Sequence, residues 1–158
     1  LEGVELELER RVSDSLKVSA VYDMVNGEND DTDNDLPLLP SDELRVSTTY
    51  TPEKLAVFKN PVAKLTVRYN ASKDAAPGEP FQQFDDAPFG SASTDSYTVA
   101  DLSFEFDLDG LVSDKARGMI KVNNVTDESF RDFLDTYKGY ALSPGRDIQF
   151  QIRVPFGS

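Results

Sequence analysis

The chain contains no cysteine and no histidine in its 158 residues. That removes disulfides, thiolate nucleophiles, zinc sites built on cysteine or histidine, and any Ser-His-Asp triad. Positive charge is also scarce. Lys and Arg total 16 against 29 Asp and Glu, a net charge of −13. A protein that follows a nucleic-acid backbone needs a basic face, and so does one that docks on an anionic lipid surface, so neither partner is expected. Long apolar runs are missing too. Without a stretch of about 18 such residues there is no transmembrane helix. A spanning β-strand needs only about 10 residues with one apolar face, and the composition does not exclude it. No secretory signal peptide is seen. The absence of cysteine fits a periplasm-facing protein.

What the chain does have is alternation with a period of two. Val4, Leu6 and Leu8 alternate with Glu5, Glu7 and Glu9, and after a polar turn at Ser13-Asp14-Ser15 the set Leu16, Val18, Ala20, Tyr22 and Met24 continues the pattern. This predicts a hairpin. Leu44 to Tyr50 and Ala63 to Tyr69 predict a second, around a turn holding Pro52 and Asn60-Pro61. Ala100 to Leu108 and Ala116 to Val122 predict a third around Asp109-Gly110, and Ile148, Phe150, Ile152, Val154 and Phe156 predict a closing strand. The expectation is an all-β, antiparallel meander of about seven amphipathic strands, one segment over residues 1–158. Short turns near Asp14, Glu53 and Asp109 alternate with long loops near Asp30, Ala75 and Thr136. That asymmetry suits a transmembrane barrel, with tight turns at one end and long loops at the other. One short helical turn near Glu128 to Leu134 is the only helical expectation. Leu1-Glu2 and Gly157-Ser158 read as residues left by cloning, which makes the chain an excised piece.

Period two says that each strand has one apolar face; it does not say whether that face meets lipid or a soluble core. Both architectures therefore stand at this point: a membrane barrel wall, or a soluble β-barrel or β-sandwich that binds a ligand or partner.

Three constellations invite a chemical reading. Asp31, Asp33 and Asp35 have the alternate spacing of a calcium loop, with Asp42 where a bidentate ligand would sit, but Leu36 stands where an EF-hand needs glycine, and a solvated acidic loop is the plainer reading. Phe81, Phe84 and Phe89, in a loop rich in proline and glycine, could stack on a ligand or anchor the loop on the barrel rim. Carboxylate pairs such as Asp85-Asp86 or Asp107 with Asp109 are expected by chance among so many acids and do not make a glycosidase. No enzyme and no cofactor are expected.

The end of the chain carries a more specific order. Asn123 and Asn124 close one strand, Phe130-Arg131-Asp132 follows, Pro144-Gly145-Arg146 opens the next, and Phe156 ends it. Asn123 and Asn124 can bond nearby backbone. Gly145 after Pro144 suggests a left-handed residue in a tight turn. Together these resemble the C-terminal end of TonB-dependent outer-membrane receptors, and the earlier hairpins resemble the preceding barrel strands of that family. The resemblance implies a piece of a barrel of about 22 strands in the bacterial outer membrane. Its partners there are lipid, the remaining strands, and a small-molecule ligand met through the loops. The parent would import a scarce nutrient such as a metal chelate, a cobalamin-like compound or a glycan. A piece isolated in water should hide its apolar face by closing into a small barrel or by self-associating.

Overall fold

In the computed structural model, residues 1–31, 33–36, 38–75, 92–108 and 116–155 are described. Eleven strands form among them: β1 (Glu2–Ser13), β2 (Leu16–Asn26), β3 (Glu28–Asn29), β4 (Asn34–Asp35), β5 (Glu43–Tyr50), β6 (Lys54–Leu55), β7 (Phe58–Lys59), β8 (Val62–Asn70), β9 (Tyr97–Asp107), β10 (Arg117–Asn123) and β11 (Asp147–Arg153). Seven of them make one antiparallel sheet in the order β1-β2-β5-β8-β9-β10-β11, a meander in which each long strand pairs with the next. The four short strands are two small hairpins, β3-β4 and β6-β7, set into the connections. No helix occurs among the described residues, so the turn expected near Glu128 to Leu134 is not helical.

The register explains why alternation in single strands becomes two faces of a wall. Leu6 lies opposite Tyr22, Tyr22 opposite Leu44, and Leu44 opposite Tyr69. Nearer the short turns, Tyr50 lies opposite Ala63, Ala63 opposite Phe104, Phe104 opposite Ile120, and Ile120 opposite Phe150. Because side chains alternate, fixing one pair per neighbour aligns every apolar set on one side. Gly118 belongs to that side, opposite Phe106. The Phe106 ring lies over it, so close that a Cβ there would stand 2.9 Å from the ring.

That apolar side is largely uncovered, except near the short turns, where Phe58 of β7 packs on Phe104 and Phe106 with ring centroids 5.2 and 4.6 Å away. Leu8 is 74% exposed, Ile152 63% and Phe150 77%. The sheet is open, with β1 and β11 at its two edges and not paired to each other. The small closed barrel expected for an isolated piece is therefore not what the chain forms. Nor, among the described residues, does a second large sheet cover the apolar side, as a sandwich would need. The closing strand is also shorter than expected: β11 stops at Arg153, before Val154, and Pro155 has no N–H to extend the ladder. Phe156 lies outside the described residues, as does the expected turn at Asp109-Gly110.

The turn asymmetry is present. Asp14-Ser15 joins β1 to β2 directly, and 51–61 joins β5 to β8 at the same end, while 27–42, 71–96 and 124–146 connect strands at the other. Buried side chains gather on the polar side. Tyr97, Val99, Phe133, Ser47 and Asn70 are all buried, and Val99 is only 1% exposed. Tyr97 and Val99 alternate with the apolar set of β9, so it is the water-facing side of the sheet that is partly covered.

Candidate functional site

The cover is the connection 124–146, and its own sequence holds it there. Asn124 takes a left-handed φ of 49°, a conformation asparagine tolerates. Its backbone N–H donates to Asp101 at 2.8 Å. Its side chain donates to the Glu128 carbonyl at 2.9 Å and accepts from the Glu128 N–H at 2.8 Å, closing the first bend. Phe130 then stacks on Tyr97 with ring centroids 4.3 Å apart, and the Tyr97 hydroxyl donates to Asp132 at 3.1 Å. The Asp132 N–H donates to the Ser143 hydroxyl at 3.2 Å, and the Ser143 N–H to the Phe130 carbonyl at 2.8 Å, which ties the returning limb to the outgoing one. Within the bend Lys138 is buried, its Nζ donating to the Phe133 carbonyl at 2.7 Å and lying 3.7 Å from the Phe133 ring centre.

Beneath this connection, at the long-loop end of the polar side, the register lines up Glu5, Asp23, Glu43, Asn70 and Tyr97 across five strands. The next row runs Glu7, Val21, Arg45, Arg68 and Val99. Glu43 binds both arginines: Arg45 directly, and Arg68 with Nε 3.8 Å away. Asn70 donates to the same carboxylate at 3.3 Å. A cavity of about 260 Å³ opens against this row, lined by Asp23, Ser41, Glu43, Arg45, Asn70 and Asp132 among others. Three rows below that of Asp23 and Glu43 the sign reverses. Arg11, Lys17, Thr49, Lys64, Ser103, Lys121 and Gln149 form a row without an acid. Of these, Lys17 pairs with Glu9 at 3.1 Å.

The residues singled out in the sequence fall in different places. Asn123 ends β10 and donates to Asp147 on β11 at 3.2 Å. Pro144-Gly145-Arg146 forms no tight turn, and Gly145 does not take a positive φ. A Cβ at Gly145 would meet the Asp127 carboxylate at 2.9 Å, and that carboxylate accepts the Arg146 N–H at 2.8 Å. The close approach at Gly145 is to the far end of the Asp127 side chain, and the backbone makes no left-handed bend there. Asp31, Asp33 and Asp35 surround the small β3-β4 hairpin, where the Asp33 N–H donates to the Asn29 carbonyl at 2.9 Å. They do not converge: among the described residues no group of three or more acidic side chains could hold a metal ion. Asp42 is turned elsewhere, accepting from the Tyr22 hydroxyl at 3.2 Å. Phe81, Phe84, Phe89 and Phe156 lie outside the described residues. The row from Asp23 to Tyr97 was not singled out. Its members alternate visibly in sequence, but only the register sets them side by side.

Residues 1–125 match the family described as TonB dependent receptor-like, beta-barrel. The chain belongs to that family. Among solved structures, a protein titled "Copper transporter OprC" is similar at a TM-score of 0.72 and 18% identity, over 95% of this chain. The chain spans only 22% of that protein's length. A comparison with curated protein sequences found no match. The family match stops at 125, so it rests on the early hairpins. The Pro144-Gly145-Arg146 landmark lies beyond it.

Proposed function

We propose that the chain is a section of wall and external loop surface of an outer-membrane receptor. The receptor would import a scarce nutrient: a metal chelate, a cobalamin-like compound or a glycan. The observation that carries this reading is the exposed apolar side. It is continuous from β1 to β11, with Tyr22 and Tyr69 toward the long loops and Tyr50, Phe104 and Phe106 toward the short turns. Leu44 and Tyr50 are six residues apart on one strand, about 20 Å at the usual strand rise. That approaches the apolar band of about 25 Å, edged by aromatic residues, of a barrel in lipid. An uncovered patch of this size demands an apolar partner, and lipid covers it without a second layer of protein. A soluble module would need the same residues turned inward.

On this reading the open edges β1 and β11 pair with further strands of the receptor, the connection 124–146 and the described parts of 27–42 and 71–96 face outward, and no catalytic step is assigned. The likeness to a copper transporter supports the fold; cargo is set by residues that vary freely at that level of identity.

These 158 residues hold no cysteine, so in a receptor whose other cysteines, if any, are replaced, a single introduced thiol reports on one position. In the intact receptor, Leu102→Cys and Ser103→Cys are made singly and each is treated with a lipid-soluble maleimide and a membrane-impermeant one. Leu102→Cys is expected to react only with the lipid-soluble reagent. Ser103→Cys, facing a watery interior, should show the reverse preference. Equal reaction of both positions with the impermeant reagent would overturn the reading.

A further inference from the structure

We propose that the β6–β7 hairpin and Arg10 dock on the headgroups of anionic glycerophospholipids, at the border of the apolar side nearest the short turns. The inference rests on the receptor reading and adds to it a lipid class and the residues that hold it.

The case begins with where that border runs. Leu6, at the middle of the β1 apolar set, leads through the register to Tyr22, Leu44, Tyr69 and Thr98. On β9, however, the apolar set centres on Phe104, six residues beyond Thr98. The apolar band therefore crosses the strands obliquely. Six residues of rise over the four strand spacings from β1 to β9 correspond to a tilt of about 45°. Strands of a membrane barrel are tilted to that degree. Arg10 lies four residues past Leu6 on β1, about 9 Å from the middle of the band at that tilt. A band about 25 Å tall ends only a little further on.

Charge is rare on this side. Along the seven long strands only Glu2 and Arg10 belong to it, Glu2 at the long-loop end and Arg10 toward the short turns. Arg10 forms no ion pair and no side-chain hydrogen bond among the described residues. At that depth its apolar stem stays in the band while its guanidinium reaches the headgroups.

The β6–β7 hairpin is a second, independent observation at the same border. Phe58 holds it against the apolar side through the rings of Phe104 and Phe106. Leu55 pairs with Phe58, and Lys54 with Lys59. Neighbouring cross-strand pairs point to opposite faces, so the lysine pair turns away from the wall. Val57, at the bend, is 81% exposed and Leu55 41%. Exposed aliphatic residues beside lysines suit the depth where acyl chains meet headgroups. Like charges directly opposite each other repel, and a phosphate shared between the two ammoniums offsets that cost. Against Arg10, Lys54 and Lys59 the described short turns set two acids, Asp14 and Glu53. This border is therefore basic, although the chain as a whole carries −13. Short turns of such barrels face the periplasm, which assigns the lipid to the inner leaflet.

The experiment uses the full receptor in detergent, with barrel formation followed by heat-modifiable migration. Phosphatidylglycerol and phosphatidylcholine are titrated separately, and native mass spectrometry counts the lipid retained. Preferential retention of phosphatidylglycerol is expected. Lys54→Gln and Arg10→Gln should each weaken it about fivefold, the effect of one basic side chain near an anionic surface. Lys54→Arg should keep it. Lys64→Gln, which removes a cation from the polar side, should change nothing. A correctly migrating barrel that retains both lipids equally overturns the inference and leaves the receptor reading intact. So does a loss in Lys64→Gln as large as in Lys54→Gln, unchanged retention in either Lys54→Gln or Arg10→Gln, or displacement of the lipid by an equal concentration of inorganic phosphate. A protein that never shows heat-modifiable migration overturns the receptor reading and this inference with it.

Discussion

The two sides of the sheet invert the usual arrangement. On the apolar side large hydrophobic residues stand in the open, with Phe150 77% exposed. On the polar side a tyrosine, a valine, an asparagine and a serine are buried under a loop. In a water-soluble domain the apolar side would be the core. Here most of the order achieved inside the chain is on the side that faces water, and it is made by hydrogen bonds, one aromatic stack and charge pairing. The apolar side holds a ring cluster of Phe58, Phe104 and Phe106 near the short turns and otherwise depends on whatever lies against it. The difference teaches that amphipathicity alone identifies a boundary between two media and leaves open which medium is protein.

The strongest way to break this comparison is to put a charge on the apolar side. Leu102→Arg should destabilise the barrel in lipid vesicles by about 2–4 kcal/mol, the cost of a guanidinium near the bilayer midplane. Ser103→Arg, one residue on and facing the other way, should cost little. Urea titration of refolded receptor in vesicles measures both, and similar losses at the two positions would remove the distinction between the sides.

The next effect concerns the bend that starts the cover. Asn124→Ala loses two hydrogen bonds to Glu128 and places alanine at a φ of 49°. A destabilisation of about 2 kcal/mol is expected. It should appear as faster proteolytic cleavage within 124–146 while the strands stay intact. A smaller change follows from Tyr97→Phe, which keeps the stack on Phe130 and removes only the bond to Asp132. About 1 kcal/mol is expected, read by the same digestion, with Phe130→Ala as the companion that removes the stack.

The smallest effect separates two explanations of one glycine. Gly145→Ala should cost about 1 kcal/mol through crowding of Asp127, and less when combined with Asp127→Ala. A double-mutant cycle in the same assay gives the coupling. If the two costs simply add, Asp127 is not the reason for glycine at 145.

Alternation foretold the seven long strands because each apolar set, such as Leu102, Phe104 and Phe106, has the strand period and nothing interrupts it. Turn chemistry foretold the Asp14-Ser15 connection and the alternation of short and long links. The Pro144-Gly145 turn was misjudged because proline and glycine raise the chance of a turn wherever they occur. Whether one forms depends on Asp127, which sits 18 residues away in sequence and in contact in space. The extent of β11 was overestimated for a related reason, since Val154 and Phe156 continue the alternation while Pro155 removes the bond a ladder needs.

The candidate site shows the same division. Asp23, Glu43, Asn70 and Tyr97 each occupy a polar-face position that period two predicts from its own strand. Their meeting in one row depends on register, and register is set by pairing between strands separated by connections as long as 71–96. The local chain determined strand and face, because those follow from side-chain periodicity within a few residues. The tertiary structure decided that the sheet stays open, that the connection 124–146 folds back over the polar side, and that Asp23, Glu43 and Asn70 line one cavity beneath it. Those depend on contacts between residues far apart in sequence, which no local pattern encodes.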